Sequence, residues 1–234
     1  MEPINDRPAP SDSHVARVRV FPLPNLVVFP HVVQPLHIFE PRYCELLEDA
    51  MADDRRIAMA LLTPGWQEDY DGRPPLYRVA CLGKVIAHQQ LADGTYNILL
   101  HGERRGRIAR ELPAAHSYRE AEVELLDDFD LDGNAAQREK LRAGLVRGAA
   151  TLLPTLQSLH EQFEQLLNEH TPLSILTDLL AYALDLNVTT KQDLLAQCCV
   201  DRRASLLVDH LYGGGDVAVD RAVSDRFPPA FSDN

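Results

Sequence analysis

The sequence has no apolar run close to the ~18 residues that a membrane-spanning helix needs. Residues 1–15 are polar and proline-rich, and they lack the apolar core of a secretion signal. The chain has few cysteines, and their spacing matches neither a disulfide framework nor a zinc site. We therefore expect a cytoplasmic protein with no membrane contact and with reduced thiols at Cys44, Cys81, Cys198 and Cys199.

Positive charge is also scarce in this chain. Lysine and arginine number 23 against 35 aspartates and glutamates, which gives a formal charge of −12. Because nucleic-acid binding depends on a basic face that neutralises phosphates, this balance disfavours nucleic acid as a partner. The densest basic segment is more typical of a solvated strand end than of a phosphate site, and it contains Arg104, Arg105, Arg107 and Arg110.

The motifs of known catalytic chemistry are missing as well. No glycine-rich loop has the G-x-x-x-x-G-K-[ST] or G-x-G-x-x-G spacing with which backbone amides hold nucleotide phosphates. No G-x-S-x-G nucleophile elbow is present. His160-Glu161 begins a zinc motif, but Glu164 occupies the place of the second histidine. We predict no catalytic residues, no cofactor and no metal, and hence no enzyme.

Scattered histidines and paired acids are the remaining candidates for chemistry. His88 and His101 could face each other across a hairpin, but a pair of ordinary strand residues is the more common arrangement. The acid pairs at 53–54 and 127–128 fall at the ends of predicted elements. There they are more typical of helix-end or linker charges than of a catalytic dyad.

The first half of the chain has the patterns of β-strands. Residues 57–62 are a short apolar run typical of a buried strand. Asp93-Gly94 between two extended runs indicates a hairpin, because glycine adopts positive φ without strain. We expect a disordered leader at 1–16, then a β-rich part at 17–126 with one helix over 40–54.

The second half changes to helical spacing. Residues 134–153 and the segment after Pro154 fit helices, and Thr171-Pro172 opens a further one. Gly144 and Gly148, one turn apart, would let another element pack closely. Together the patterns predict an α+β fold whose β-rich part is followed by a helical part at 127–212 and a flexible tail at 213–234.

Segments in both parts resemble one known family. Phe21–Pro30 is similar to a strand that ends in Pro-Leu and is followed by V-x-F-P, and Pro35–Tyr43 is similar to P-L-x-I-F-E-x-R-Y. In the helical part, Leu176–Ala181 resembles L-A-D-x-I-A and Lys191–Leu195 resembles K-Q-x-L-L. In this order, over residues 17–212, the segments resemble the N-terminal, substrate-binding domain of Lon proteases.

That resemblance implies both a fold and a function. The fold would be a small PUA-like β-barrel with one helix, packed on a C-terminal helical bundle. The chain stops where a full Lon protease begins its linker helix, ATPase and Ser-Lys peptidase, so the resemblance transfers neither activity. It implies a free-standing, non-catalytic protein- or peptide-binding module, in the form of an adaptor or a chaperone-like receptor.

The expected ligand is a polypeptide, and four residues are candidates to bind it. Trp66 and Tyr70 lie in a loop rich in proline, glycine and acid, and exposed aromatic residues are common adhesive elements. The alternative for Trp66 is that it anchors its own loop on the barrel. Leu36 and Phe39 could line the neighbouring face, although core packing is the more usual role for such residues.

Two other functions stay open at this point. RNA binding is compatible with a PUA-like barrel, although the negative charge argues against it. An accessory role beside a separately encoded ATP-dependent protease is the second alternative. The sequence indicates neither the oligomeric state nor the surface that binds.

Overall fold

The computed structural model describes residues 15–70, 72–131, 135–152 and 171–213. Strands precede helices, apart from one early helix, so the α+β class predicted from the sequence is confirmed. No helix in these ranges is long and apolar enough to cross a membrane. The elements are, in chain order, β1 (Val15–Leu23), β2 (Val33–Ile38), α1 (Pro41–Ala52), β3 (Arg56–Leu61), β4 (Val79–Gln90), β5 (Tyr96–Glu111), β6 (Arg119–Leu126), α2 (Ala135–Leu152), α3 (Leu173–Ala183), α4 (Val188–Ala196) and α5 (Val200–Tyr212).

The limits of the described ranges bear on three sequence predictions. β1 begins at Val15, so two residues assigned to the leader belong to a strand. The rest of that leader, the helix expected after Pro154 and the tail beyond Gly213 lie outside the described residues.

The six strands form one sheet in the order β2-β5-β4-β3-β1-β6. β6 also pairs with β5, so the five strands β5, β4, β3, β1 and β6 close into a ring. β2 lies outside this ring and pairs with the first part of β5, along the same edge that β6 pairs with further on. β5 makes this possible because its 16 residues pair with three other strands. The sequence pattern predicts two shorter strands over Thr95–Arg104 and Arg107–Leu112. The structure instead has one strand that a register shift between Ile108 and Arg110 bends.

Two apolar clusters lie on opposite faces of these strands. The larger cluster joins the strands to α1 and to the C-terminal helices, and the smaller one consists mainly of valine and alanine. Successive residues of β1 alternate between them, since Phe21 belongs to the larger cluster and Val20 to the smaller. Burial on both faces explains why this part of the sequence reads as continuous apolar runs.

A buried ion cluster joins the strands to the helical part. We use this name for Arg105 of β5, Asp128, Asp178 of α3 and Arg203 of α5. Asp178 is 0% exposed, accepts a hydrogen bond from Arg105 Nη1 at 3.0 Å and lies 3.2 Å from Arg203 Nε. Asp128 accepts from Arg203 Nη1 at 3.0 Å and lies 3.3 Å from Arg105. Two positive and two negative charges therefore compensate each other, with Arg105, Asp178 and Arg203 buried and Asp128 reaching the surface.

The two arginines of the ion cluster also bind backbone carbonyls at the end of α4. Arg105 Nε donates to the carbonyl of Leu195 at 2.8 Å, and Arg203 Nη1 donates to that of Gln197 at 2.7 Å. Carbonyls at a helix end have no partner within the helix, so these bonds satisfy groups that would otherwise be unpaired. The ion cluster thereby fixes α3, α4 and α5 relative to β5.

Gly144 and Gly148 of α2 provide the close packing that the sequence predicts. A Cβ atom on Gly148 would lie 2.8 Å from Cδ1 of Leu211, and one on Gly144 would lie 3.4 Å from Cγ2 of Val208. The hydroxyl of Tyr212 donates to the carbonyl of Gly144 at 2.9 Å. α5 therefore packs directly against the backbone of α2, and this prediction is confirmed.

We expect Asp178→Asn to lower the free energy of unfolding by about 3–5 kcal/mol, because it leaves two buried guanidinium groups with a single carboxylate. Urea denaturation followed by circular dichroism measures this change. Glu122→Gln is the matched control, since it breaks a pair with the solvent-facing Arg110, where an ion pair contributes about 0–1 kcal/mol. Equal losses in the two variants would contradict a structural role for the ion cluster.

Candidate functional site

A pocket of about 220 Å³ opens between the loop 63–75, the start of α1 and the segment 112–118. We call it the loop pocket. Sites that enclose a drug-sized molecule have about 300–1,000 Å³, so this pocket fits one side chain of a larger ligand better than a whole small molecule. Its wall includes three tyrosines and three arginines, namely Tyr43, Tyr70, Tyr118, Arg42, Arg73 and Arg119.

Hydrogen bonds hold both ends of the loop 63–75 in place. The amide of Thr63 donates to the carbonyl of Pro75 at 2.9 Å, and the guanidinium of Arg119 donates to that of Pro74 at 2.7 Å. Gly65 has a φ of 88°, a conformation that favours glycine, and the short 3-10 helix Trp66–Asp69 follows it. The two ends of this loop therefore have a defined path over the rim of the loop pocket.

Tyr70 is fixed against the start of α1. Its hydroxyl donates to Glu40 Oε1 at 2.6 Å, and the guanidinium carbon of Arg42 lies 4.8 Å from the centroid of its ring. The same carbon lies 4.8 Å from the ring centroid of Tyr43, so Arg42 contacts two aromatic rings. Burial, followed by the hydrogen bond to Glu40, raises the pKa of Tyr70, so its hydroxyl stays protonated at neutral pH.

Trp66 packs edge-on against Tyr70, with ring centroids 5.4 Å apart. Its side chain is half-buried, so part of the indole holds the loop and part faces solvent. The structure thus brings together the two aromatic residues that the sequence singled out. Ligand binding by the exposed part of Trp66 stays a prediction.

Leu36 and Phe39 differ in accessibility although they are close in the chain. Leu36 is 0% exposed and lies opposite Ile98 in β5, so it is a core residue that no ligand can reach in this structure. Phe39 follows the end of β2, is 42% exposed and stacks on His37 at a centroid distance of 6.0 Å. The core packing that the sequence favours for both residues holds only for Leu36, and Phe39 remains a candidate for binding.

The residues that hold the loop pocket together were not singled out from the sequence. Glu40 and Arg42 follow β2 in the chain, and only the fold brings them to Tyr70. Tyr118 lies directly before β6, and its hydroxyl donates to Asp49 of α1 at 2.8 Å. Burial, followed by this hydrogen bond, raises the pKa of Tyr118 to about 12. The residues that make these contacts are 28 to 69 positions apart in the sequence, so no short-range motif could reveal them.

The arginine-rich segment of β5 presents little uncompensated charge to a nucleic acid. Arg105 is 3% exposed, so the expectation of a solvated strand end is wrong for this residue. Acidic partners reduce the attraction of arginines for phosphates. Each of the four arginines forms an ion pair: Arg104 with Asp127, Arg105 with Asp178, Arg107 with Glu124 and Arg110 with Glu122.

Comparison with known proteins gives a consistent set of matches. The family model of the ATP-dependent protease La (LON) substrate-binding domain matches residues 17–212. Lon protease 1 of Bdellovibrio bacteriovorus is 28% identical over 219 residues, which are 93% of this chain and 27% of that protein. The Lon protease of Rhizobium meliloti is 27% identical over 195 residues, 83% of this chain and 24% of its own length. The chain thus spans about a quarter of the length of these relatives.

Two solved structures share the fold. The N-terminal domain of the Mycobacterium avium complex Lon protease aligns with a TM-score of 0.63 at 21% identity, covering 86% of this chain and 100% of that one. The Lon N-terminal domain protein from Xanthomonas campestris aligns with a TM-score of 0.57 at 20% identity, covering 82% and 97%. These likenesses support the arrangement of a mixed sheet with helices.

We expect Tyr70→Phe to speed amide hydrogen exchange over residues 66–70 about fivefold, because a neutral hydrogen bond contributes about 1 kcal/mol net. Hydrogen–deuterium exchange with mass spectrometry measures this rate. The emission of Trp66 should change little, since the aromatic ring it contacts is retained. Tyr212→Phe, which removes a hydroxyl from the distant α5, serves as the control. Unchanged exchange in Tyr70→Phe would show that the hydroxyl does not hold the loop.

Proposed function

This chain belongs to the Lon substrate-binding domain family, and from that membership we propose that it is a recognition module that binds polypeptides at the loop pocket. The observation that carries the proposal is a family match over residues 17–212 together with an aromatic pocket of side-chain size. The ligand would be an extended or partly unfolded chain, because such chains present single side chains that folded proteins bury.

The chemistry of the loop pocket fits an apolar or aromatic side chain. Tyrosine rings supply large contact surfaces at a low cost in conformational entropy. The guanidinium of Arg42 contacts the rings of Tyr43 and Tyr70 and holds them in position for a ligand side chain. The hydroxyls of Tyr70 and Tyr118 already donate to Glu40 and Asp49, so these two remain satisfied when an apolar group displaces water.

Phe39 supplies a second contact for the same ligand. It precedes Glu40, whose carboxylate accepts a hydrogen bond from Tyr70, and its ring stacks on His37 and is not part of the pocket wall. At 42% exposure it is one of the large apolar side chains that remain in contact with water, and a bound ligand would remove that contact. A polypeptide that places one side chain in the pocket would cover Phe39 with a neighbouring residue.

The formal charge of −12 favours the binding of some polypeptides over others. Acidic segments are repelled, whereas apolar segments flanked by lysine or arginine are attracted at a distance and bind faster. We therefore propose clients with exposed apolar residues in a neutral or basic context, and a chaperone-like or adaptor role follows from that preference.

A second role is favoured by the names of the relatives. Both curated relatives are Lon proteases, so bound chains could be passed to an ATP-dependent protease, with this protein as an accessory subunit. RNA binding, the other alternative, has weaker support because the arginines of β5 are paired with acids. In a mobility-shift assay at low salt we expect no retardation of RNA, whereas a shift that disappears with added salt would favour RNA binding.

We expect a short glycine-, serine- and lysine-rich peptide with one central phenylalanine to change the emission of Trp66, which is the sole tryptophan of the chain. The same peptide with alanine at the centre should bind about tenfold more weakly, since one buried aromatic ring contributes ~1.5–3 kcal/mol. A fluorescence titration measures both affinities.

Matched variants locate the binding surface in the same titration. Tyr70→Ala and Phe39→Ser should each weaken binding about tenfold, as expected when an aromatic ring that a bound ligand covers is removed. Leu206→Ala is the control, because Leu206 is also an exposed apolar residue at 40% but lies on α5. If all three variants bind equally well, the loop pocket is not the peptide site.

A further inference from the structure

Glu45, Asp49 and His116 converge beside the loop pocket. The two acids lie one helical turn apart on α1, and His116 faces them from the segment 112–118. His116 Nδ1 lies 3.5 Å from Glu45 Oε1 and 3.6 Å from Asp49 Oδ2, and the three ligand atoms all lie within 4.8 Å of one another. We propose that these side chains bind a divalent transition-metal ion, and that Zn²⁺ fits them best.

The separations match those of a tetrahedral metal site. Zinc bonds to nitrogen and oxygen of about 2.0–2.2 Å place neighbouring ligand atoms ~3.3–3.6 Å apart. Two of the three separations already have this value, 3.5 and 3.6 Å. Three protein ligands leave the fourth position of the tetrahedron for water or for a group of a bound molecule.

Hydroxyl groups orient both carboxylates toward the histidine. Ser117 Oγ donates to Glu45 Oε2, which leaves Glu45 Oε1 directed at the imidazole. Tyr118 donates to Asp49 Oδ2 at 2.8 Å. Metal ligands in proteins are commonly held in this way by outer hydrogen bonds, and those bonds strengthen metal binding.

The imidazole distinguishes this cluster from an ordinary acidic surface patch. Carboxylates alone favour Mg²⁺ and Ca²⁺, whereas a ring nitrogen beside carboxylates favours Zn²⁺ and related ions. Nδ1 is the ring nitrogen of His116 that faces Glu45 and Asp49, whereas Nε2 lies 3.9 Å from the carboxylate of Glu120, so Nδ1 is the proposed metal ligand.

A hydrated ion can reach the cluster from solvent. A cavity of about 420 Å³ opens onto Asp49, His116 and Glu120. Arg17 and Arg19 line the same cavity, but their charges are compensated by Glu120 and by the acids Asp53 and Asp54. The local field therefore remains negative around the proposed ion.

The sequence predicts no metal, and the residues it considered do not come together. His88 lies opposite Ile98 in the β4–β5 ladder, while His101 lies opposite Lys84. His116 is more than sixty positions from either acid in the sequence, and only the packing of the 112–118 segment on α1 brings it to them.

Isothermal titration calorimetry of the tag-free full chain with zinc chloride tests the proposal. We expect one saturable equivalent of Zn²⁺ per chain and at least a tenfold loss of affinity in His116→Ala, Glu45→Gln and Asp49→Asn. Titration with Co²⁺ should produce the visible absorption band of a four-coordinate site in the wild type but not in His116→Ala. His88→Ala, which removes an exposed histidine elsewhere, should bind both ions as the wild type does.

Three results would overturn the proposal. The first is the absence of saturable binding in the wild type, which would leave His116 in contact with the two acids and without a metal. The second is equal affinity of His116→Ala and His88→Ala. The third is binding that survives His116→Ala but disappears in Cys198→Ser, which would place the metal on a thiol. Circular dichroism of each variant separates a lost ligand from a lost fold.

Discussion

Asp178 is buried between two guanidinium groups, and the arrangement of α3 and α5 against β5 depends on this contact. A carboxylate at 0% exposure is tolerated only where its charge is compensated and its oxygens are hydrogen-bonded. Arg105 approaches it from β5 and Arg203 from α5, so the charge is satisfied only when the strands and the helices are correctly docked. Apolar contacts alone would permit several docked orientations, because they have no direction, whereas this set of paired charges permits one.

α1 connects the core to the surface on which we place the function. Tyr43, Leu46 and Leu47 on one side of the helix belong to the large apolar cluster. The opposite side carries Glu45 and Asp49, which contact the segment 112–118, and Glu40 precedes the helix and holds Tyr70. The loop pocket and the proposed metal site are therefore built from the same two elements, α1 and the segment 112–118. An ion at the second site would restrain a wall of the first, which links the two binding events thermodynamically.

Most of the fold could be predicted from local sequence signals, and particular elements show why. The turn at Asp93-Gly94 follows from the need for positive φ, and Gly94 has a φ of 88°. The helix over Pro41–Ala52 follows from apolar spacing and from a proline at its start. The prediction failed at β5, where a bent strand of 16 residues replaces two shorter ones, because a bulge is decided by pairing with β6 and not by local preference.

Residue order within short segments was enough to predict the class of the fold, the close packing at Gly144 and Gly148, and the family. Which charged and aromatic residues meet depends on the folded arrangement of distant segments. It buried Arg105 and Leu36, exposed Phe39, placed Tyr70 against Arg42 of α1 and brought His116 to Glu45 and Asp49. The physical reason is that these contacts are made between distant elements, and their partners are selected by docking and by charge compensation inside the folded chain.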